Sequence, residues 1–394
     1  MNKKFYLIYC RRGRDDFMTW NLLNLLQTKK PSNGNLARRV WLEIKFTSAE
    51  TKKVVDISED ISKFFINLDY TDNMSDEADD LTLTLEDRSG LWLNHWLPDD
   101  EGNLLDITIH TLNRITLDDG EKTFHLGKFE IDEITCQGMP SIVKIKAVSV
   151  IGKGSLRSER KNQSWEKVTL RKVAEDIATR NNLILLFDCD ENPEIDHIEQ
   201  ADQADLEFLL KLCKSHGLSL KVTPEQLIIF DEYKYEQKDA LITVYNPAFN
   251  INANISEKII LTWLTDWDFR NKTRDTYAKC EVKTQNGKKK ETIKGEFADP
   301  KGNSEGRTLH INHQVKDEAE AQRLAKKKLR EKNKEKTSGR FSTIGNLNLT
   351  AGSTIQIKNF GKFDGKYIID KVNHSISAND FKTSCEIRKC LDGY

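Results

Sequence analysis

The sequence predicts a mainly β, α+β protein in which two β-rich domains flank a small α+β module. Three observations carry that reading. Apolar and polar residues alternate in strand fashion from Leu36 to about residue 155. Helical spacing replaces the alternation between Thr169 and His216. Short strand-like runs punctuated by glycine then return beyond about residue 236. The length of 394 residues agrees, because a chain of that size exceeds what one hydrophobic core serves and calls for two or three domains.

Residues 1–34 stand apart as an N-terminal extension, in which apolar patches around Trp20 to Leu26 precede a polar loop from Lys29 to Gly34. The first β-rich domain, 35–155, is read from four runs. Leu42, Ile44 and Phe46 share one face; Leu81, Leu83 and Leu85 alternate with Thr82, Thr84 and Glu86; Leu105, Ile107 and Ile109 alternate again; Val143, Ile145 and Ala147 follow. Short strands separated by Asp, Asn and Gly clusters fit an antiparallel barrel or sandwich. In the module, 156–235, Leu170, Val173, Ala174, Ile177 and Ala178 fall at helical spacing behind Thr169, an N-cap candidate. A strand at Leu183–Phe187 follows. A second helix from Asp205 to His216 sets Leu206, Leu209, Leu210 and Cys213 on one stripe, expected to bury against that strand, and stops at Gly217. Leu218–Val222 and Leu227–Phe230 read as a hairpin. The second β-rich domain, 236–394, contains a Lys-rich helix, Val315–Lys334, with Ala321, Leu324, Ala325 and Leu329 on a narrow apolar face and a remainder expected to meet solvent. Strands at Thr354–Ile357, Tyr367–Val372 and Thr383–Lys389 close the chain.

Composition narrows the function classes. Lys plus Arg number 61 against 62 Asp plus Glu, so no global field draws the chain to nucleic acid or anionic lipid. No run of 18 apolar residues suggests a membrane span. Seven cysteines are scattered without a C-x-x-C pair, which reads as reduced thiols. Arg11, Arg12, Arg14, Asp15 and Asp16 follow the short apolar run of Met1–Cys10 where a cleavage site would need small residues, which argues against a signal peptide.

No catalytic, cofactor-binding or metal-ligating constellation emerges. Asp188, Asp190, Asn192, Ile195, Asp196 and Glu199 have EF-hand spacing, but Pro193 occupies the position that needs glycine and a strand precedes the loop. His310 and His313 lack a completing carboxylate or cysteine spacing. Gly152-Lys153-Gly154-Ser155 lacks phosphate-loop spacing, and no G-x-S-x-G elbow occurs. Asp79 and Asp80 are adjacent on a strand, so their carboxylates point to opposite faces. Glu331 and Glu335 interrupt the Lys326–Lys336 stretch, which has no stacking aromatics for single-stranded nucleic acid. Leu91, Trp92 and Trp96 follow Gly90, a residue suited to a positive-φ turn. They read either as packing for their own core or as anchors of a subunit interface.

Three segments carry a resemblance. TDNMSDEADDLTLTLEDRSGLWLNHWLP (Thr71–Pro98), ADLEFLLKLCKSHGLSL (Ala204–Leu220) and GNLNLTAGSTIQIKNFGKFDGKYIIDKVNH (Gly345–His374) resemble, in order, the phage late control gene D protein family. The likeness begins at LARRVWLEI (Leu36) and extends to about residue 392; residues 1–34 have no counterpart, and no lysozyme-like or spike segment is fused. It implies a structural baseplate-hub subunit of a contractile tail, similar to the hub part of type VI secretion spike proteins. Two barrel-like tube domains per chain and a homotrimer would join a six-fold tail tube to a three-fold spike. The partners implied are the chain itself, tube, spike and other baseplate proteins, without cofactor, nucleic acid or membrane span. Its place is the host cytoplasm during assembly, then the virion or tail-like particle. The competing reading is a tail protein that binds or hydrolyses peptidoglycan, which the missing catalytic constellation disfavours.

Overall fold

The four alternating runs that open the chain all become strands. The computed structural model describes residues 38–394 except 91, 93–101, 115–119, 151–154, 224, 241, 249–258, 262, 275, 287–290, 302–305 and 379. The N-terminal extension therefore lies outside the described residues. The first part runs β1 (Arg39–Thr47), β2 (Val54–Asp56), α1 (Ser58–Ser62), β3 (Phe65–Asn73), β4 (Asp80–Glu86), β5 (Leu104–Leu112), β6 (Glu121–Gln137) and β7 (Ile142–Ser149). Inward residues of these strands, including Ile44, Leu68, Leu83, Ile107, Phe129 and Ile145, form one buried core. Each fully buried side chain of this kind stabilises by ~1.5–3 kcal/mol.

The module follows as α2 (Ser155–Ser158), β8 (Arg160–Thr169), α3 (Leu170–Arg180), β9 (Ile184–Asp188), β10 (Glu194–Ala204), α4 (Asp205–Ser215), β11 (Ser219–Val222), β12 (Gln226–Phe230) and α5 (Glu232–Gln237). Thr169 caps α3 as expected, its hydroxyl accepting from the Lys172 N–H at 3.3 Å. Gly217, at φ +66°, ends α4 in the left-handed conformation that costs glycine least. On α4 the buried stripe is Phe208, Leu209, Leu212 and Cys213, with Leu206 and Leu210 at its margin. The helix rests on β11, while α3 covers β9, the strand expected beneath α4. The phase shift is small because Leu209 and Cys213 belong to both stripes.

The remainder runs β13 (Ile242–Tyr245), β14 (Ile259–Leu261), β15 (Leu264–Asn271), β16 (Lys279–Asn286), β17 (Glu291–Ala298), β18 (Thr308–Asn312), α6 (Glu318–Asn333), β19 (Thr337–Ile344), β20 (Thr354–Lys358), β21 (Gly365–Ser377) and β22 (Phe381–Lys389). Strands β17, β16 and β18 form a separate sheet on which α6 packs through Ala321, Leu324, Ala325 and Leu329. The helix approaches so closely that a Cβ at Gly295 would stand 2.3 Å from the Ala321 carbonyl carbon, so β17 needs glycine there.

Two four-stranded antiparallel sheets in this chain have the same design. The order β3-β4-β7-β6 in the first part recurs as β15-β19-β22-β21 in the second. Irregularities recur with it. The first pair of each sheet shifts register between Phe65 and Asn67 or between Leu264 and Asp266. The last pair shifts between Ile131 and Glu133 or between Ile369 and Lys371. Bulges are local design features, so their coincidence makes Asp132 and Asp370 equivalent, as are Gly127 and Gly365, which both have positive φ. In both halves the long strand, β6 or β21, leaves the four-stranded sheet to pair with an outer strand, β5 or β20. Each half is thus a barrel-like wrap, and among the described residues no strand pairing closes either into a complete barrel.

Candidate assembly site

The two halves meet edge to edge. The C-terminal half of β21 pairs antiparallel with β3, from Lys371 opposite Asn73 to Ser377 opposite Asn67, making one continuous sheet. Small polar pairs and one stacked pair line this joint: Asn373 donates to the Thr71 hydroxyl at 3.4 Å, and the His374 ring lies parallel to Tyr70 at 6.1 Å. His374 is 1% exposed, and burial lowers its pKa to about 4, so the imidazole in the joint is neutral.

Buried charges fix the joint from behind. Lys221 of β11 donates to Asp72 at 3.0 Å and to the Asn73 carbonyl at 2.7 Å, and Asp79 lies 3.7 Å away. Asp72 also accepts from the Ala351 N–H at 2.8 Å, so one carboxylate ties together the first sheet, the module and the second half. Burial opposes the Lys221 charge, but Asp72 and Asp79 raise its pKa above the ordinary lysine value; burial lifts Asp79 itself to about 6. A second cluster joins α5 to β22 and α6. Arg388 donates to Glu236, to Glu232 at 2.9 Å and to Asp370 at 2.9 Å; Arg330 donates to Glu236 and Lys334 to Glu232 at 3.1 Å. Burial alone would raise the Glu232 pKa, yet Arg388, Lys334 and Arg330 hold it at about 2. The Lys-rich helix is therefore a clamp on one side, through Lys327, Lys328 and Arg330, while Gln322, Arg323 and Lys332 meet solvent as expected. Besides Arg330, its Lys327 donates to Glu191 at 3.0 Å and Lys328 to the Lys214 carbonyl at 2.5 Å, both on the module. The sequence pattern was misread because a cation facing water and one facing a neighbouring carboxylate occupy the same helical position.

The eight-stranded run from β15 to the second half of β6 has an unpaired strand at each end among the described residues. Strand β15 pairs only with β19 among the described residues, and the β6 segment beyond Ile131 pairs only with β7. Trp267 on β15 is 46% exposed, whereas Leu68, its counterpart on β3, is fully buried. Trp267 joins Phe269, Phe360 and Phe363 in an aromatic ledge. Met139, in the turn after β6, is 96% exposed.

The expected interface residues divide. Trp92 is fully buried in the first core, edge-on to Phe64 at 5.7 Å, and its backbone N–H donates to the Asp87 carboxylate at 3.1 Å. It packs its own domain, while Leu91 and Trp96 lie outside the described residues. In the acidic loop, Lys234 pairs with Asp188 at 3.2 Å and Asp190 at 2.7 Å, and Asn192 accepts from the Arg171 N–H. Among the described residues no group of three or more His, Cys, Asp or Glu is arranged to hold a metal ion, and no helix is long and apolar enough to cross a membrane. The joint residues were missed because Lys221, Asp72 and Arg388 are far apart in sequence; the only local hint was a lysine within the apolar hairpin Leu218–Val222.

Comparison with known proteins finds tail proteins among those that are similar. Residues 148–380 match the model of the phage tail baseplate hub (GPD) family. A probable baseplate hub protein of Escherichia phage P2 is 33% identical over 177 residues, covering 44% of this chain and 42% of that protein. The alignment thus spans about two fifths of that relative's length. Among solved structures, a tail protein from Neisseria meningitidis MC58 superposes with a TM-score of 0.62 at 14% identity, covering 90% of this chain and 97% of that one. The 43 kDa tail protein of prophage MuSo2 from Shewanella oneidensis gives a TM-score of 0.62 at 12% identity, over 89% of this chain and all of that one.

Proposed function

Because the chain belongs to the phage tail baseplate hub family, we propose that three copies form a ring joining a six-fold tail tube to a three-fold spike. The repeated sheet carries this reading. A ring of three chains, each supplying the order β3-β4-β7-β6 and its counterpart β15-β19-β22-β21, presents six similar sheets to the tube while remaining three-fold. The extent of each unit is proposed as 35–155, 156–235 and 236–394, with 1–34 as an added arm. The role is structural and non-enzymatic, the protein assembling in the host cytoplasm and ending in the virion or tail-like particle, in contact with tube, spike and other baseplate proteins.

Cryo-electron microscopy of assembled tails tests the ring. Three chains in the hub layer are expected, and six or two would refute the proposal. A zymogram on purified cell wall tests the non-enzymatic role; a cleared band would overturn it in favour of peptidoglycan hydrolysis.

A further inference from the structure

Independently of the ring, we infer that the unit inserted between β15 and β19, residues 272–336, is a hinged arm held against the module by a latch of exposed charges. Its pivot is the C-terminal end of α6. The chain enters the arm after Asn271 and leaves it before Thr337, residues that face each other at one end of the β15–β19 pair. Two kinds of charged contact then divide the helix. At its C-terminal end, Arg330 and Lys334 meet Glu236 and Glu232 of α5, carboxylates that are buried and shared with Arg388. Asn333 accepts from the Tyr277 N–H at 3.0 Å and donates to the Tyr277 carbonyl at 2.9 Å. Parting these groups would leave buried charge without a partner, which is strongly destabilising.

Toward the other end of α6 the partners face water. Lys327 donates to Glu191 at 3.0 Å, the exposed Arg323 lies 3.4 Å from the same carboxylate, and Lys316, just ahead of the helix, donates to Glu194 at 2.6 Å. The Glu194 side chain is 72% exposed. Ion pairs of this kind are weak and are screened by salt. Behind them the His216 and His313 rings meet edge-on at 6.0 Å, and Lys328 reaches the Lys214 carbonyl at the end of α4. The apolar core beneath α6 stays closed when the arm moves, because among the described residues its side chains belong to the arm except Tyr233, Leu391 and Tyr394. Tyr233 stands at the pivot, its ring 5.8 Å from the Arg330 guanidinium. Leu391 and Tyr394 lie on the C-terminal tail, which leaves β22 beside the start of β19.

Lysine acetylation followed by mass spectrometry tests the hinge in the isolated full chain. Lys327 and Lys334 are similarly shielded with the latch closed, at 19% and 23% exposed, so an unequal response to salt reports movement. Raising salt from ~0.01 to ~1 M shortens the screening length from ~30 to ~3 Å. Labelling of Lys327 and Lys328, normalised to the exposed Lys52, should then rise several-fold while that of Lys334 stays low. Lys328 separates movement from the mere loss of an ion pair, because its acceptor on the module is a backbone carbonyl. Glu194→Lys sets like charges at the latch and should raise Lys328 labelling already at low salt; adding Lys316→Glu should return it to the wild-type level. Lys328 labelling that ignores both salt and Glu194→Lys would overturn the hinge. So would Lys334 opening together with Lys327, since the pivot would then have parted with the latch.

Discussion

The sealed and open ends of this sheet are built from equivalent strands, yet they expose different surfaces. On β3, Leu68 and Tyr70 are buried and Asp72 is locked by Lys221; on β15, the matching Trp267, Phe269 and Asn271 form an aromatic ledge and a polar strand end. On β21, Val372 and His374 are buried, while on β6 the matching Ile134 is half-buried and Cys136 exposed. The difference teaches that neighbourhood, not strand design, decides burial here, because bulges and strand order coincide in both halves.

Mutations at equivalent positions should therefore give unequal effects. The largest is expected behind the sealed joint. Lys221→Met leaves the Asp72 and Asp79 carboxylates facing an uncharged side chain, and loss of one partner of a buried pair costs about 3–5 kcal/mol. Denaturant unfolding reads it directly, and a change under ~1 kcal/mol would show that the charge does not hold the joint. Next, Leu68→Ala should cost about 2–5 kcal/mol as a core truncation. Trp267→Ala in the isolated chain should cost under ~1 kcal/mol, since much of its ring is already in water. Equal losses at the two positions would erase the contrast between the ends.

Acid should act through the second charged cluster in two opposing windows. The folded pKa of Glu232 lies near 2, below its ordinary 4.5, so its contribution is complete above pH 4.5 and is lost as pH falls toward 2. Burial raises Asp370 from 3.8 to about 6, so its ionisation disfavours the fold as pH rises through that window. Stability measured by thermal unfolding should accordingly fall more steeply between pH 4.5 and 2 than between 6 and 4.5. Glu232→Gln should flatten the acid limb, and an unchanged slope would mean that Glu232 is not the group being titrated.

Legibility in the sequence followed the number of apolar faces a strand covers. Strands β1, β4, β5 and β7 alternate plainly because one face is core and the other water. Strand β3 escaped notice because Thr71, Asp72 and Asn73 serve a joint made of polar pairs, and the second half of β6 did so because an open edge has no apolar neighbour to match. Helices were easier: Thr169 capped α3 where expected, and the apolar stripe of α6 was read correctly although its charged side was read only in part. The internal repeat was invisible, since equivalent core positions hold Leu83 and Phe341, or Ile145 and Cys385, which fill similar space with unrelated residues. What the halves share is backbone geometry, and that is written in bulges and pairing, not in side-chain identity.

Amide hydrogen exchange, compared between the isolated chain and the assembled tail, tests this account most directly. Segments 67–73 and 371–377 should be protected in both, since they pair within the chain. Segments 133–139 and 266–272 should exchange rapidly in the isolated chain and become protected on assembly, as the open edges find their partners. Rapid exchange of both segments in the assembled tail, or protection already present in the isolated monomer, would contradict it.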